Sequence, residues 1–343
     1  MPRPTQAGAA EPAVRTTVVG SYPVPSWLGP APTLPNLRDA VMVVLKTQEL
    51  AGVDVVSDGE LTRFDASHPD TNGMIDYFAS RMDGIRSRLT REEAARFAAR
   101  PEMRFRASPA GVVTGPVGQG TLDLPAAWEW SRALTDKPMK LTVTSPYMLA
   151  RTLLDDHYRD LRALTNALAD ALAAQVAAVS APVVQVDEAN LPGHPEDAGW
   201  ASTPINTVLR AARAERGVHL CFGNYGGQSV QTGLWKDLLP FFNTLEADHL
   251  VLETAHRDPA ELTALRELKP GLSLGLGVID IKSTVVETAD DIARAVERAS
   301  ALLGADRIRW IHPDCGFWML PRSVADRKLR SLVSGRDRYL GRQ

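Results

Sequence analysis

The feature that most narrows what this chain can fold into is a regular alternation of short β-branched runs with longer stretches of helical spacing, clearest after residue 140. Strand-like runs fall at 14–19, 53–57, 141–144, 183–186, 218–222, 249–252, 272–278 and 308–311. Between them, Leu161, Leu164, Leu168 and Leu172 recur at intervals of three and four, drawing one apolar stripe along a helix. Residues 38–52, 202–216, 258–269, 288–303 and 322–336 carry weaker versions of that pattern. Strands that alternate with helices build a parallel α/β sheet, and eight is the number that closes into a (β/α)8 TIM barrel. The alternative is an open doubly wound sheet. The run Gly275-Leu276-Gly277 does not favour it, because the third glycine of a dinucleotide fingerprint is missing. Residues 65–135 are charged and irregular, and read as an elaboration after the second strand that covers the active-site end. Residues 1–13, rich in Pro and Ala, read as a flexible arm ahead of a single catalytic barrel at 14–343.

Composition removes several classes of function. A formal net charge of −3 with 44% hydrophobic residues describes a globular chain with a sizeable core, and gives no electrostatic case for nucleic acid or a membrane surface. No apolar run approaches the roughly 20 residues that span a bilayer. Two cysteines exclude a secreted disulfide framework, so the expected location is the cytoplasm. The Arg-rich stretch 327–342 alternates with apolar residues and reads as a solvated helix face.

Active sites on α/β barrels sit where strands end. Here the polar residues fall in those places: Ser21, Asp58 with Glu60, Asp187 with Glu188, His219 with Cys221, Glu253, Asp280 and Cys315. His219 and Cys221 stand two apart in a strand-like run, so both side chains leave one face. An imidazole and a thiolate on one face suit Zn2+, and Cys315 and Glu253 offer two more ligands from matching strand ends. Each alone reads as an inert buried cysteine or a satisfied core histidine; the four together favour a metal. A metal would deprotonate a coordinating thiol that is otherwise mostly protonated at neutral pH. Glu253, a hard oxygen ligand, is the one an incoming thiolate would displace.

The motifs Val19-Gly20-Ser21-Tyr22-Pro23, Asp58-Gly59-Glu60, Gln185-Val186-Asp187-Glu188, His219-Leu220-Cys221, Leu252-Glu253-Thr254, Gly277-Val278-Ile279-Asp280-Ile281 and Pro313-Asp314-Cys315-Gly316 resemble, in order, the catalytic domain of the cobalamin-independent methionine synthase family. The resemblance runs from about residue 14 to 336. It implies a zinc-dependent thiol methyltransferase converting homocysteine to methionine, with His219, Cys221, Glu253 and Cys315 on the metal. It also implies an amino-acid pocket in which Ser21 and the Val19 backbone meet the substrate carboxylate, Glu60 and Asp187 meet its ammonium, and Asp58, Glu188 and Asn190 stand behind them. Three departures bear on the methyl donor. The full family enzyme has two barrels, and this chain has the length of one. Thr152 stands where the family has a tryptophan that stacks on folate, leaving Tyr147 as the nearest aromatic residue. Lys282 stands where the family has a histidine two residues after Asp280, so His256 and His312 become candidates for acid or base beside Lys282, Asp280 and Glu253. These departures lead to the expectation of a donor other than folate, such as a corrinoid or a corrinoid protein. The competing readings are a zinc alkyltransferase or lyase of the epoxide–coenzyme M type, whose thiol lacks the ammonium that Glu60 and Asp187 would bind, and a non-catalytic zinc-binding scaffold.

Overall fold

The computed structural model describes residues 13–29, 31–64, 73–100, 106, 108–224, 229, 231–255 and 257–342. The expected arm, save residue 13, and His256 lie outside the described residues, as do 65–72, 101–105 and 107 of the expected elaboration.

Seven parallel strands form the main sheet, in the order β1 (Arg15–Thr16), β10 (Ile308–Pro313), β9 (Ser273–Ile279), β8 (His249–Leu252), β7 (Glu215–Leu220), β6 (Val183–Glu188) and β4 (Lys140–Thr144). The two edges are joined through residues 55–56: Thr17 bridges to Val55 and Val56 bridges to Met139, both in parallel. Val55 N donates to Thr16 O at 3.2 Å and Lys140 N donates to Val56 O at 3.0 Å, so a bridging segment is the eighth member of the ring. The strand expected at 53–57 shrinks to this seam because side chains take over its ladder. The Asp54 carboxylate accepts from Thr16 N at 2.7 Å, and Ser57 N donates to Gln48 Oε1 at 2.9 Å. Elaborations of the second and third loops build a small separate sheet, β2 (Asp83–Arg86), β3 (Val112–Gly118) and β5 (Leu154–Asp155).

The expected apolar stripe lies on the helix Leu161–Ala177. Leu164, Leu168 and Leu172 are buried, Leu161 is half-buried, and Asp160 caps the start by accepting from Arg162 N and Ala163 N. The helix expected at 202–216 ends earlier, spanning Ala198–Ala211, and the strand expected at 218–222 starts earlier, at Glu215. Glu215 and Arg216 have good helix propensity, but tertiary partners override it. Glu215 accepts from Arg15 Nη2 at 2.6 Å and Trp310 Nε1 at 2.9 Å, and Arg216 grips Asp248 through Nε and Nη2 at 3.0 and 2.9 Å. The expected helix at 258–269 forms 3-10 turns at Pro259–Glu267.

The two glycines of the Gly275-Leu276-Gly277 run have a steric purpose. A Cβ at Gly275 would stand 2.9 Å from His312 Nε2, and one at Gly277 would stand 2.1 Å from Asp314 Oδ1. Their absence lets β10 place His312 and Asp314 inside the ring. No helix among the described residues is long and apolar enough to cross a membrane.

Glu215 braces the N-terminal end of the barrel. Burial alone would raise its carboxyl, but His249, with Nδ1 at 3.1 Å, and Arg15 bring it down to about 2. Burial holds His249 below its ordinary range, so Arg15 is the standing positive charge at neutral pH. A carboxyl with a folded pKa below its unfolded value stabilises the fold above the unfolded pKa of about 4.3, and loses that contribution as pH falls toward the folded value. Glu215→Gln is therefore expected to lower stability by about 1–3 kcal/mol near pH 7, with the gap narrowing steadily below about pH 4.5. Urea midpoints of both proteins across that range check this; a gap independent of pH would rule out the ionic role.

Candidate metal centre

His219 lies near the end of β7, Cys221 immediately follows that strand, and Cys315 follows β10. Their ligand atoms all lie within 4.8 Å of one another. The two sulfurs are 3.8 Å apart. Two sulfurs each about 2.3 Å from a tetrahedral centre would be separated by about 3.8 Å. A disulfide would need a far shorter contact. His219 Nδ1 donates to Val251 O at 2.9 Å, which fixes the tautomer and leaves Nε2 as the free ring nitrogen. That Nε2 is buried without a hydrogen-bond partner. An orphaned imidazole nitrogen beside two thiols fits a soft divalent metal. A hydrogen bond from Cys221 and the nearby His219 ring hold the Cys315 thiol well below its ordinary range, against burial. The same hydrogen bond, together with burial, drives Cys221 well above its own.

The structure brings together three of the four expected ligands. Glu253 is fully buried next to the cluster but outside it, with both oxygens engaged: Oε1 accepts from Lys282 Nζ at 3.0 Å and Oε2 from Phe222 N at 3.1 Å. Burial lowers the Lys282 ammonium, yet the Glu253 charge and hydrogen bond more than offset this and raise it. Lys282 is thus held as an ammonium against Glu253. Asp280 accepts from Lys282 N at 2.8 Å and donates its own N–H to Glu287 Oε1 at 2.9 Å. It shapes the turn that carries Lys282 and does not line the cavity. His312 is also withdrawn from acid–base work. It is fully buried, donates from Nδ1 to Pro313 O at 2.7 Å, and burial pulls it to about 3, so it stays neutral.

A cavity of about 60 Å³ lies over the cluster, walled by Val19, Ser21, Glu60, Asp187, Met148 and Trp318, among others. At roughly 10–15 Å³ per water it has room for a few waters or one small polar molecule. Glu60 reaches the wall through a strained turn: Gly59 and Glu60 have φ of 74° and 58°. A non-glycine residue held there costs about 1–3 kcal/mol and persists where the surroundings over-determine it. Here Glu60 N donates to Asp58 Oδ1 at 2.9 Å, while Glu60 Oε1 accepts from Thr142 Oγ1 at 2.7 Å with Arg63 at 3.5 Å. Asp187 Oδ1 accepts from Gln185 Nε2 at 2.6 Å, and Lys140 Nζ donates to Gln185 Oε1 at 2.7 Å. Burial raises Asp187 to about 7, with the Glu60 charge adding to it against His219. The Val19 carbonyl is already taken by Gln185 Nε2 at 2.9 Å.

Tyr147 does not face the cavity. Its ring packs against Trp200 with centroids 5.5 Å apart and its hydroxyl donates to Asp197 at 2.7 Å, so the expectation of a substrate contact is corrected. Thr152 is likewise fully buried, bonded to Leu149 O. The aromatic face on the cavity is Trp318, three residues beyond Cys315, which its nearness to the Pro-Asp-Cys-Gly motif could have flagged. Met74 joins the wall from the elaboration, and no sequence signal marks it. A larger groove of about 1150 Å³ opens at the opposite end, around Arg15, Asp54 and Glu215. It lies away from the strand ends where barrel chemistry resides.

Comparison with known proteins follows the same lines. Residues 30–336 match the family described as cobalamin-independent synthase, catalytic domain. A methionine synthase of Saccharolobus solfataricus is 28% identical over 342 residues, covering 94% of each chain. One from Sulfurisphaera tokodaii is 27% identical over 343 residues, covering 94% of this chain and 92% of that one. Among solved structures, a B12-independent methionine synthase from Shewanella sp. W3-18-1, in complex with selenomethionine, superposes with a TM-score of 0.78 at 24% identity, covering 96% of this chain and 98% of that one. The expected corrinoid donor is left without support, because the matching family is named for its independence of cobalamin.

Replacing Cys315 by Ser removes a thiolate that a hydroxyl does not replace at this kind of metal. Changes one shell out typically weaken metal sites by about 10- to 100-fold, so loss of a direct ligand is expected to weaken zinc binding by about 100-fold or more. Metal analysis after dialysis against a chelator of known affinity checks this, and full zinc retention by Cys315→Ser would remove Cys315 from the centre.

Proposed function

The chain belongs to the cobalamin-independent methionine synthase family, which is a family of methyltransferases, and on that premise we propose that it transfers a methyl group to the thiol of homocysteine with zinc held by His219, Cys221 and Cys315. The observation that carries this reading is the juxtaposition of a sulfur–sulfur spacing of 3.8 Å with an orphaned His219 Nε2, beneath a cavity whose wall holds the carboxyl groups of Glu60, Asp187 and Glu188. Zinc, when bound, supplies a positive charge that keeps a substrate thiol deprotonated near neutral pH.

The remaining work belongs to the protein's own groups. Glu60 and Asp187 offer charge-assisted hydrogen bonds to the substrate ammonium. Burial and repulsion from Glu60 leave Asp187 poised to gain from a cation, since an ammonium between them relieves both penalties. The Ser21 hydroxyl lies on the same wall, beside Val19, and suits the substrate carboxylate. Fixing the amino-acid head in this way aims the sulfur at the metal ligands and turns a bimolecular encounter into an oriented one. Met74, Met148 and Trp318 form the apolar part of the wall, where a methyl donor can approach with water excluded. The rival thiol, coenzyme M, carries a sulfonate and no ammonium, and the acidic wall would repel it.

The acceptor is tested by offering a panel of thiols to zinc-loaded protein while following proton release and the zinc X-ray edge. Homocysteine is expected to release a proton and add a sulfur at zinc, and coenzyme M to do neither; if no thiol perturbs the metal, the reading fails. The pocket is tested through Glu60→Gln and Asp187→Asn. Loss of one charge-assisted bond costs roughly 1.5–3 kcal/mol, so each is expected to raise the KM for homocysteine about ten- to a hundredfold with zinc content unchanged. Unaltered KM values in both variants would mean that the ammonium binds elsewhere.

A further inference from the structure

We propose that Lys140 is a positioning residue of the amino-acid pocket: through Gln185 it holds the Asp187 carboxyl group and the Val19 carbonyl in the places from which they frame the head group of the substrate. This rests on the reading of the cavity as the site of an α-amino acid thiol.

Lys140 stands inside the barrel at the start of β4, is 5% exposed, and does not line the cavity. A lysine is almost never buried unless it is paired, because its charge is costly to take out of water. Among the described residues, the acceptor found for its Nζ is Gln185 Oε1 at 2.7 Å, and Gln185 is itself buried. An ammonium only donates, so the amide oxygen of Gln185 faces it and the amide nitrogen faces the other way. There Nε2 uses its two N–H groups on the pocket, donating to Asp187 Oδ1 at 2.6 Å and to Val19 O at 2.9 Å. Both acceptors belong to residues of the cavity wall. Without Lys140, Oε1 would be a buried acceptor with no donor. The amide would then gain by turning toward another donor, at the expense of Asp187 and Val19.

The other polar side chains of β4 work in the same direction. Leu141 and Val143 pack into the hydrophobic core, and Lys140, Thr142 and Thr144 alternate with them on the opposite face of the strand. Thr142 Oγ1 donates to Glu60 Oε1 at 2.7 Å, and Thr144 Oγ1 donates to Met74 O. With Lys140 acting through Gln185, each of the three holds a different member of the wall: Asp187, Glu60 and Met74. The register explains why position 140 carries a long side chain. Lys140 pairs with Val183, so Gln185 lies two residues farther toward the mouth, where it pairs with Thr142. A short hydroxyl at 140 would not reach it, and a lysine does.

The electrostatics link the same groups. Burial pulls Lys140 down to about 7, and the charges that push it back up are those of Asp187 and Glu60. Both acids assigned to the substrate ammonium thus lie within the electrostatic reach of this lysine.

The test is calorimetric binding of L-homocysteine, with no methyl donor present, to the zinc-loaded wild type, Lys140→Met, Asp187→Asn and the double variant. Propane-1-thiol, which has the sulfur and the carbon chain but no amino-acid head, is the control ligand. Lys140→Met is expected to weaken homocysteine binding about tenfold or more and to leave propane-1-thiol within about threefold of the wild type. In the Asp187→Asn background the same change is expected to weaken homocysteine by no more than about threefold further, because both substitutions act on one contact. The proposal is overturned if Lys140→Met binds homocysteine as well as the wild type, or tighter, the second result marking a lysine that competes with the substrate ammonium. It is equally overturned if both ligands weaken alike, or if the two losses multiply in the double variant, since Lys140 would then shape the barrel as a whole. Should Lys140→Met not fold, Gln185→Glu decides. That variant keeps an oxygen for Lys140 but offers no N–H to Asp187 or Val19, so a loss of about tenfold or more is expected and full affinity overturns the proposal. Homocysteine binding that follows the expected pattern in a protein that methylates no thiol would refute the proposed function and leave the role of Lys140 standing. Variants that depart from it in a protein that methylates homocysteine refute the role of Lys140 alone, and a wild type that binds no homocysteine refutes both.

Discussion

The mouth of this barrel depends on closure of the ring at its weakest seam. Seven strands pair along their length, but the eighth position is a bridging segment with one partner on either side, Thr17 with Val55 and Val56 with Met139. Side chains stabilise what the backbone ladder does not: Gln48 bonds both Ser57 N and Ser57 O, and Ser57 Oγ donates to Gly20 O at 3.1 Å. Beyond the seam, Tyr22 N donates to Gly59 O at 3.0 Å and Phe317 N to Ser21 O at 2.8 Å. These loop-to-loop bonds bring the first, second and last strand ends to one place. Ser21, Glu60 and Cys315 share a cavity wall for that reason.

Closing the ring puts polar groups in a dry interior, and each has to find a partner there. The solution is layered. At the N-terminal end Glu215 gathers Arg15 and Trp310. In the middle Lys140, Gln185 and Asp187 form a continuous chain in which burial brings the lysine down to about 7 and the aspartate up to about 7. At the mouth Asp314 accepts from Thr254 N at 2.8 Å and Ala255 N at 2.9 Å, tying the end of β8 to the residue before Cys315. A site supported by such a network keeps its side chains aimed before any ligand arrives, which is the condition for fast transfer between two small groups. His219 Nε2 is among the buried polar atoms that no protein group satisfies, and it is the one that lies with two sulfurs.

Some of this is legible from residue order and some is not. The leucine spacing of the helix Leu161–Ala177 reads directly as helical because its periodicity is local. The polar strand ends read as a site because parallel strands all finish on one face. The boundary between the helix Ala198–Ala211 and β7 departs from its sequence reading because Glu215 and Arg216 look helical until their partners on β1, β10 and the residue before β8 are known. Tyr147 is the nearest aromatic residue along the chain to the position of Thr152, yet Trp318 is the one on the cavity wall. Nearness in sequence does not fix which face of a loop looks inward.

By itself, the sequence determined the architecture, the family and the identity of the sulfur and nitrogen candidates for the metal. These follow from periodicities and short motifs that neighbouring residues carry within themselves. The tertiary structure alone decided that Glu253 turns to Lys282, that Asp280 braces a turn, and that His312 is neutral and withdrawn. Each of those outcomes depends on strand register and on how much water is excluded from one side chain. Both are properties of the closed ring, and no local stretch of sequence specifies them.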